Sequence, residues 1–83
     1  MVKIVFEQEN LRAAARDGEN LAGECQMREE NGGWIIEHTK VDEAYGGQGI
    51  AKKLVMCLVE AAKAEKMPLS AECTYAKSVL EKL

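Results

Sequence analysis

The sequence predicts an α+β fold: a mixed central sheet of about five strands, a long helix after the fourth strand and a second helix at the C-terminal end. Three observations carry that expectation. Short β-rich segments punctuated by turn residues fill the first half of the chain, a 3.6-residue apolar period takes over at Ile50, and the single proline, Pro68, divides that helix from one more short strand.

Val2 to Glu7 is rich in β-branched and aromatic residues and reads as the first strand. Asn10 to Arg16 is the second. Its Ala13-Ala14-Ala15 run favours helix by propensity, but the segment is closed too soon by the turn signal Asp17-Gly18. Asn20 to Arg28 forms the third strand and ends at Glu29-Glu30-Asn31-Gly32-Gly33. Trp34 to Val41 carries bulky and β-branched residues at both parities, so a central strand buried on both faces is expected.

From Ile50 the pattern changes. Ile50, Leu54, Leu58 and Ala62 recur every four residues, Ala51, Val55 and Val59 lie beside them, and Lys52, Lys53, Glu60 and Lys63 fall elsewhere. This helix stops near Lys66, because Pro68 disfavours the α conformation at Met67. Leu69 to Glu72 is the fifth strand and Thr74 to Lys82 the last helix. A helix between strands four and five makes them parallel neighbours, with the loop after strand four at their carboxyl edge.

Eighty-three residues with 47% hydrophobic content make one small domain spanning residues 1–83. A chain of this size buries only roughly 60–65% of the surface it exposes unfolded, so a monomer or weak homodimer of modest stability is expected. Formal net charge is −3; residues 1–33 hold seven acids and four bases, and residues 34–83 hold seven of each. No cluster of Lys and Arg marks a nucleic-acid footprint, and the acidic first half hints at a cationic acceptor. Three widely spaced cysteines and a single His offer neither a disulfide framework nor a metal site. No stretch is long enough for a signal peptide or a membrane span, so a cytoplasmic protein with reduced thiols is the expectation.

The segment Val41-Asp42-Glu43-Ala44-Tyr45-Gly46-Gly47-Gln48-Gly49-Ile50-Ala51 runs from a strand through three glycines into a helix. Glycine lets backbone approach a ligand closely. The first turn of a helix adds amides without intrahelical partners and the positive end of the macrodipole. A phosphate or pyrophosphate fits such a junction, although similar loops also serve as plain connections. A dinucleotide fingerprint is excluded because Lys52 stands where its third glycine belongs, and a P-loop is excluded because Gly-Lys-Ser/Thr is absent.

Gly46-Gly47-Gln48-Gly49-Ile50-Ala51 resembles the Q/R-x-x-G-x-G/A phosphate loop of the GNAT superfamily of acetyl-CoA-dependent N-acetyltransferases, with Gly46 in place of the usual Gln or Arg. His38-Thr39-Lys40-Val41 and Cys73-Thr74-Tyr75-Ala76 are similar to the His-Thr-x-Val strand and Cys-x-Tyr-Ala segment of its small single-domain branch. The resemblance spans nearly the whole chain. It implies a GNAT-like fold whose fourth and fifth strands splay apart around the pantetheine arm of acetyl-CoA. Thr39 and Val41 then face pantetheine, while Gly46, Gly47, Gln48, Gly49, Ile50 and Ala51 take the pyrophosphate.

The implied activity is transfer of acetyl to a primary amine, on a small molecule or on a protein Lys or N-terminus. A non-catalytic acyl-CoA sensor or carrier with the same fold is the alternative. Larger relatives place Asn-x-x-Ala-x-x-x-Tyr after strand five; here Cys73 and Leu80 occupy the Asn and Tyr positions, so the usual general acid is missing. The sixth and seventh strands that commonly wall the acceptor site also have no counterpart, which predicts a shallow, open pocket.

Cys73 falls where strand five meets the last helix, and helix amides there favour its thiolate. It is the candidate acyl carrier or acid, against the plainer role of a small buried hydrophobe expected of Cys57 and of Cys25 on an outer strand. His38, the only imidazole, suits proton removal from an incoming ammonium, or equally a structural bond. Glu37 is expected to face the other way. Tyr75 either contacts the cofactor or simply packs, and Trp34 belongs to the core. Lys52 and Lys53 occupy the first turns of the long helix, where cations are disfavoured unless an anion sits nearby.

Overall fold

In the computed structural model, which describes residues 1–83, four strands form an antiparallel meander in sequence order. They are β1 (Val2–Glu7), β2 (Arg12–Asp17), β3 (Asn20–Glu30) and β4 (Gly33–Val41). The long helix α1 (Ile50–Glu65) leads to β5 (Leu69–Ala71), which pairs with β4 in parallel, and α2 (Thr74–Glu81) follows. The fold is therefore the mixed five-stranded sheet with two helices expected from the sequence. No helix is long and apolar enough to cross a membrane.

Local chemistry sets the boundaries. The β3–β4 hairpin turns through Asn31 and Gly32, both with positive φ (54° and 78°), the twist that short hairpins require. Strand β2 begins at Arg12 and not at Asn10, because Gln8–Asn10 closes a 3-10 turn that Leu11 ends in the left-handed region. At the other end of α1, Lys66 takes the same conformation (φ 56°), and Met67 N–H donates to Ala62 O at 2.8 Å just before Pro68.

One face of the sheet is covered by both helices. Leu54, Val55 and Leu58 of α1 are fully buried against strand residues that include Ala13, Ala15 and Cys25, and α2 adds Ala76 and Val79. Burying each such leucine contributes about 1.5–3 kcal/mol. The small alanines of β2 leave room for α1 to lie close to the sheet. Cys25 is on the central strand, not an outer one, and is wholly buried.

Strand β4 is buried on one face only, contrary to the two-sided burial read from its composition. Trp34 and Ile36 are buried, Ile35 is half-buried, and Glu37, His38 and Lys40 are exposed. The cause is a bulge. Gln26 pairs with His38 and Met27 with Ile36, so Glu37 has no partner across the ladder. The alternation restarts after it, which returns Thr39 opposite Cys25 and Val41 opposite Gly23. Glu37 and His38 share the open face instead of facing opposite ways: Glu37 Oε2 accepts from Arg28 at 3.3 Å, and His38 Nε2 lies 3.6 Å from Glu24 Oε2.

That open face carries an ion network in place of a second layer. Glu7 accepts from Arg12 Nε at 2.8 Å and from Arg16 Nη2 at 2.9 Å, and Arg12 Nη1 donates to Glu24 at 2.8 Å. These arginine bonds bring the Glu7 carboxyl down from 4.5 to about 2. A depressed folded value means the stabilisation is present above the unfolded value and is lost as pH falls from about 4.5 through about 2. The melting temperature of Glu7→Gln should therefore lie below that of the wild type near neutral pH, and calorimetry should show the gap narrowing across that acid window.

Candidate active site where two strands part

Strands β4 and β5 stay together for only three register pairs, Trp34 with Leu69, Ile35 with Ser70 and Ile36 with Ala71. The last ties are Glu72 N–H to Ile36 O at 2.9 Å and Cys73 N–H to the same oxygen at 3.3 Å. Beyond Ile36, β4 continues to Val41 without β5 beside it. Its free edge there presents backbone groups toward the gap.

Cys73 stands at the mouth of that gap as the N-cap residue of α2. Burial pushes its thiol up, but the amides of Ala76 and Tyr75 and the hydroxyl and amide of Thr39 favour the thiolate, and the balance is a lowered pKa. The other two cysteines behave oppositely. Burial raises Cys57, and it pushes Cys25 up to about 11. Cys73 is thus the one cysteine of three whose surroundings favour the anion.

The glycine loop is built from the strand outward. Asp42 Oδ1 accepts from Ala44 N–H at 2.9 Å and starts a 3-10 turn over Glu43–Tyr45, and Tyr45 O–H donates to Asp17 Oδ2 at 2.7 Å, pinning the loop to the β2–β3 hairpin. Gly47 and Gly49 then take positive φ (79° and 72°), and α1 starts at Ile50, whose side chain is buried. Ile50 therefore has only its backbone to offer a ligand, while Ala51 is half-buried. The exposed loop and the unpaired first amides of α1 suit an anion.

Gly46 differs from the other two glycines. At φ −61° and ψ 151° it adopts a conformation open to any residue, and an added Cβ would sit 3.3 Å from Glu43 O. Gly46→Gln should leave the melting temperature within about 4 °C of wild type and should not weaken coenzyme A binding, as a thermal melt and a calorimetric titration will report.

The remaining candidates fall around this gap. Thr39 and Val41 return to the helix side of β4, and Thr39 Oγ1 lies 3.7 Å from Cys73 Sγ. His38, next in sequence, is on the open face and pairs with Glu24, so the strand separates its ring from the Thr39 hydroxyl. Tyr75 is 42% exposed and lines a cleft of about 200 Å³ with Lys52, Ser78 and Lys82. A larger concavity of about 480 Å³ lies beside the end of β4, between Leu21, Glu24, Lys40 and Asp42, and includes Val41 but neither Cys73 nor the loop glycines Gly46, Gly47 and Gly49.

One contact near the site had no signal in the sequence. Arg28 reaches from β3 to grip Glu72 with two bonds, 2.9 and 2.8 Å, and also holds Glu37. It fixes the residue immediately before Cys73 across 44 positions of chain.

A sheet that opens between its fourth and fifth strands, with a glycine loop beyond the opening, is the mark of the GNAT-like class of folds. The model of a GCN5-related N-acetyl-transferase family matches residues 12–83. The chain is also similar to the solution structure of a GCN5-like candidate N-acetyltransferase from Staphylococcus aureus, with a TM-score of 0.73 and 35% identity over 96% of this chain and 78% of that one. It is similar to the crystal structure of a ribosomal-protein-alanine N-acetyltransferase from Brucella melitensis biovar Abortus 2308, with a TM-score of 0.61 and 25% identity over 75% of this chain and 52% of that one. A comparison with curated proteins finds no match. The chain belongs to the GCN5-related N-acetyltransferase family and is an acetyl-transferring enzyme of that family.

Proposed function

We propose that this chain takes acetyl from acetyl-CoA and delivers it to a primary amine, on a small molecule or on an exposed protein Lys or N-terminus, with Cys73 as the acyl carrier. The observation that carries this reading is the lowered Cys73 thiol at the parting of β4 and β5. The free edge of β4 supports a place for the pantetheine arm along Thr39 and Val41. The amides of Gly46 to Ala51 are suited to the pyrophosphate, with Tyr75 and Lys52 in the adjoining cleft.

In this reading the Cys73 thiolate attacks the thioester carbonyl; a new S–C bond forms as the bond to coenzyme A sulfur breaks, and that sulfur leaves as a thiolate. A neutral amine then attacks the acetyl carbonyl on Cys73. The C–N bond forms, the S–C bond to Cys73 breaks, and the amine proton passes to water, since His38 lies across β4 from the sulfur. Amides on the free edge of β4 are positioned by type to polarise the carbonyl oxygen. If Cys73 acts instead as acid, its thiol gives a proton to the departing coenzyme A sulfur and no acyl-protein forms.

Incubation of the protein with radiolabelled acetyl-CoA and an amine panel tests the proposal. The panel includes peptides with N-terminal alanine, because the Brucella protein is named for that acceptor. Labelled amine is the expected product, and intact mass analysis should show about 42 Da added at Cys73 before amine is supplied. Binding without any labelled amine favours the sensor or carrier alternative. Absence of coenzyme A binding overturns both.

A further inference from the structure

Thr39 has one hydroxyl proton and two sulfurs within reach. Its Oγ1 lies 3.4 Å from Cys25 Sγ on β3 and 3.7 Å from Cys73 Sγ at the start of α2. A hydroxyl donates once and accepts twice, so it can stabilise only one thiolate at a time. From this geometry we infer that Cys25 is a positioning residue for Cys73: its S–H donates to Thr39 Oγ1 and leaves the Thr39 O–H free to donate to the Cys73 sulfur. The inference rests on the reading of Cys73 as the working thiol.

Burial decides the direction of the relay. Cys25 is wholly buried on the central strand, and burial pushes its thiol to about 11. It is therefore protonated at neutral pH and is always a donor. The ionisable groups that act on it, Cys73, Cys57 on α1 and Glu24 beside it on β3, all raise it further. Cys73 has the opposite surroundings, with the amides of Ala76 and Tyr75 turned toward it, so it is the sulfur that ionises.

While Cys73 is a thiol it donates to Thr39; once it ionises the bond reverses and Thr39 donates to the thiolate. Bonds in such a chain polarise one another and strengthen the last of them. Glu72 is held by Arg28, and His38 pairs with Glu24 on the open face.

The pH dependence of Cys73 alkylation by iodoacetamide, followed at the Cys73 peptide by mass spectrometry, tests the relay in the whole chain and without turnover. Thr39→Val should slow alkylation at neutral pH roughly tenfold and move its midpoint to higher pH, while Thr39→Ser restores the wild-type profile. Cys25→Ala should act in the same direction, roughly threefold, and Cys25→Val carries the same expectation at similar volume should the alanine void unfold the sheet. In a Thr39→Val background the Cys25 substitution should add nothing, because its effect passes through the hydroxyl. A wild-type profile in both Cys25 variants, or an additive double variant, would overturn the relay. Full turnover in Cys73→Ala would remove the acyl-carrier reading and leave the alkylation result standing, so the two failures are distinguishable.

Discussion

Cys73→Ala is expected to lower turnover at least about 100-fold while coenzyme A affinity stays within about twofold of wild type. The asymmetry follows from where the sulfur sits. It lies at the mouth of the gap, turned toward Thr39 and the first amides of α2, whereas the glycine loop belongs to the other helix. Removing the thiol deletes the proposed nucleophile and leaves the peptide hydrogens of residues 46–51 untouched. The fold should tolerate the change, because Cys73 is only half-buried and a thiol is a weak acceptor for the first amides of α2. Spectrophotometric release of coenzyme A reports turnover and isothermal titration reports affinity. A variant with wild-type turnover would take Cys73 out of the chemistry.

Gly49→Val is expected to cost the opposite quantity, weakening coenzyme A binding roughly 10-fold to 100-fold. Gly49 has φ +72°, a region that penalises an L side chain by about 1–2 kcal/mol and a β-branched one by more. Nothing lies within 4 Å of the added Cβ, so the penalty is conformational and not a collision. Relief comes from turning the backbone, which re-aims the adjoining amides at the start of α1. Gly32→Val is the control: it imposes similar strain (φ +78°), also in open space, at the distant β3–β4 turn. It should lower the melting temperature and leave affinity unchanged. Equal affinity loss in both variants would show that general destabilisation, not loop geometry, is being measured.

Much of this arrangement was legible in the residues. The 3.6-residue recurrence of Ile50, Leu54, Leu58 and Ala62 fixed α1 because these side chains share one stripe, and Pro68 marked where it had to end. The link between Cys73 and a helix N-terminus was readable because strand and helix signals meet there. The bulge at Glu37 was not, since a strict two-residue alternation assumes an unbroken ladder, and a bulge is settled by the partner strand. The same limit hid the one-sided burial of β4. Composition reports how many bulky residues a strand has, not which of its faces a helix covers. The contacts of Thr39 with Cys25 and of Arg28 with Glu72 join residues far apart in sequence, where no local pattern carries information.

The bulge at Glu37 decides which side of β4 the imidazole of His38 and the hydroxyl of Thr39 occupy. With Glu37 kept but the ladder unbroken, every later position of β4 would change face; the imidazole would sink toward the helices, and the threonine would be turned outward to water. A single-codon deletion of Glu37 would instead remove the bulge and leave His38 and Thr39 on their present faces, so an inward threonine needs either the bulge or a strand one residue shorter.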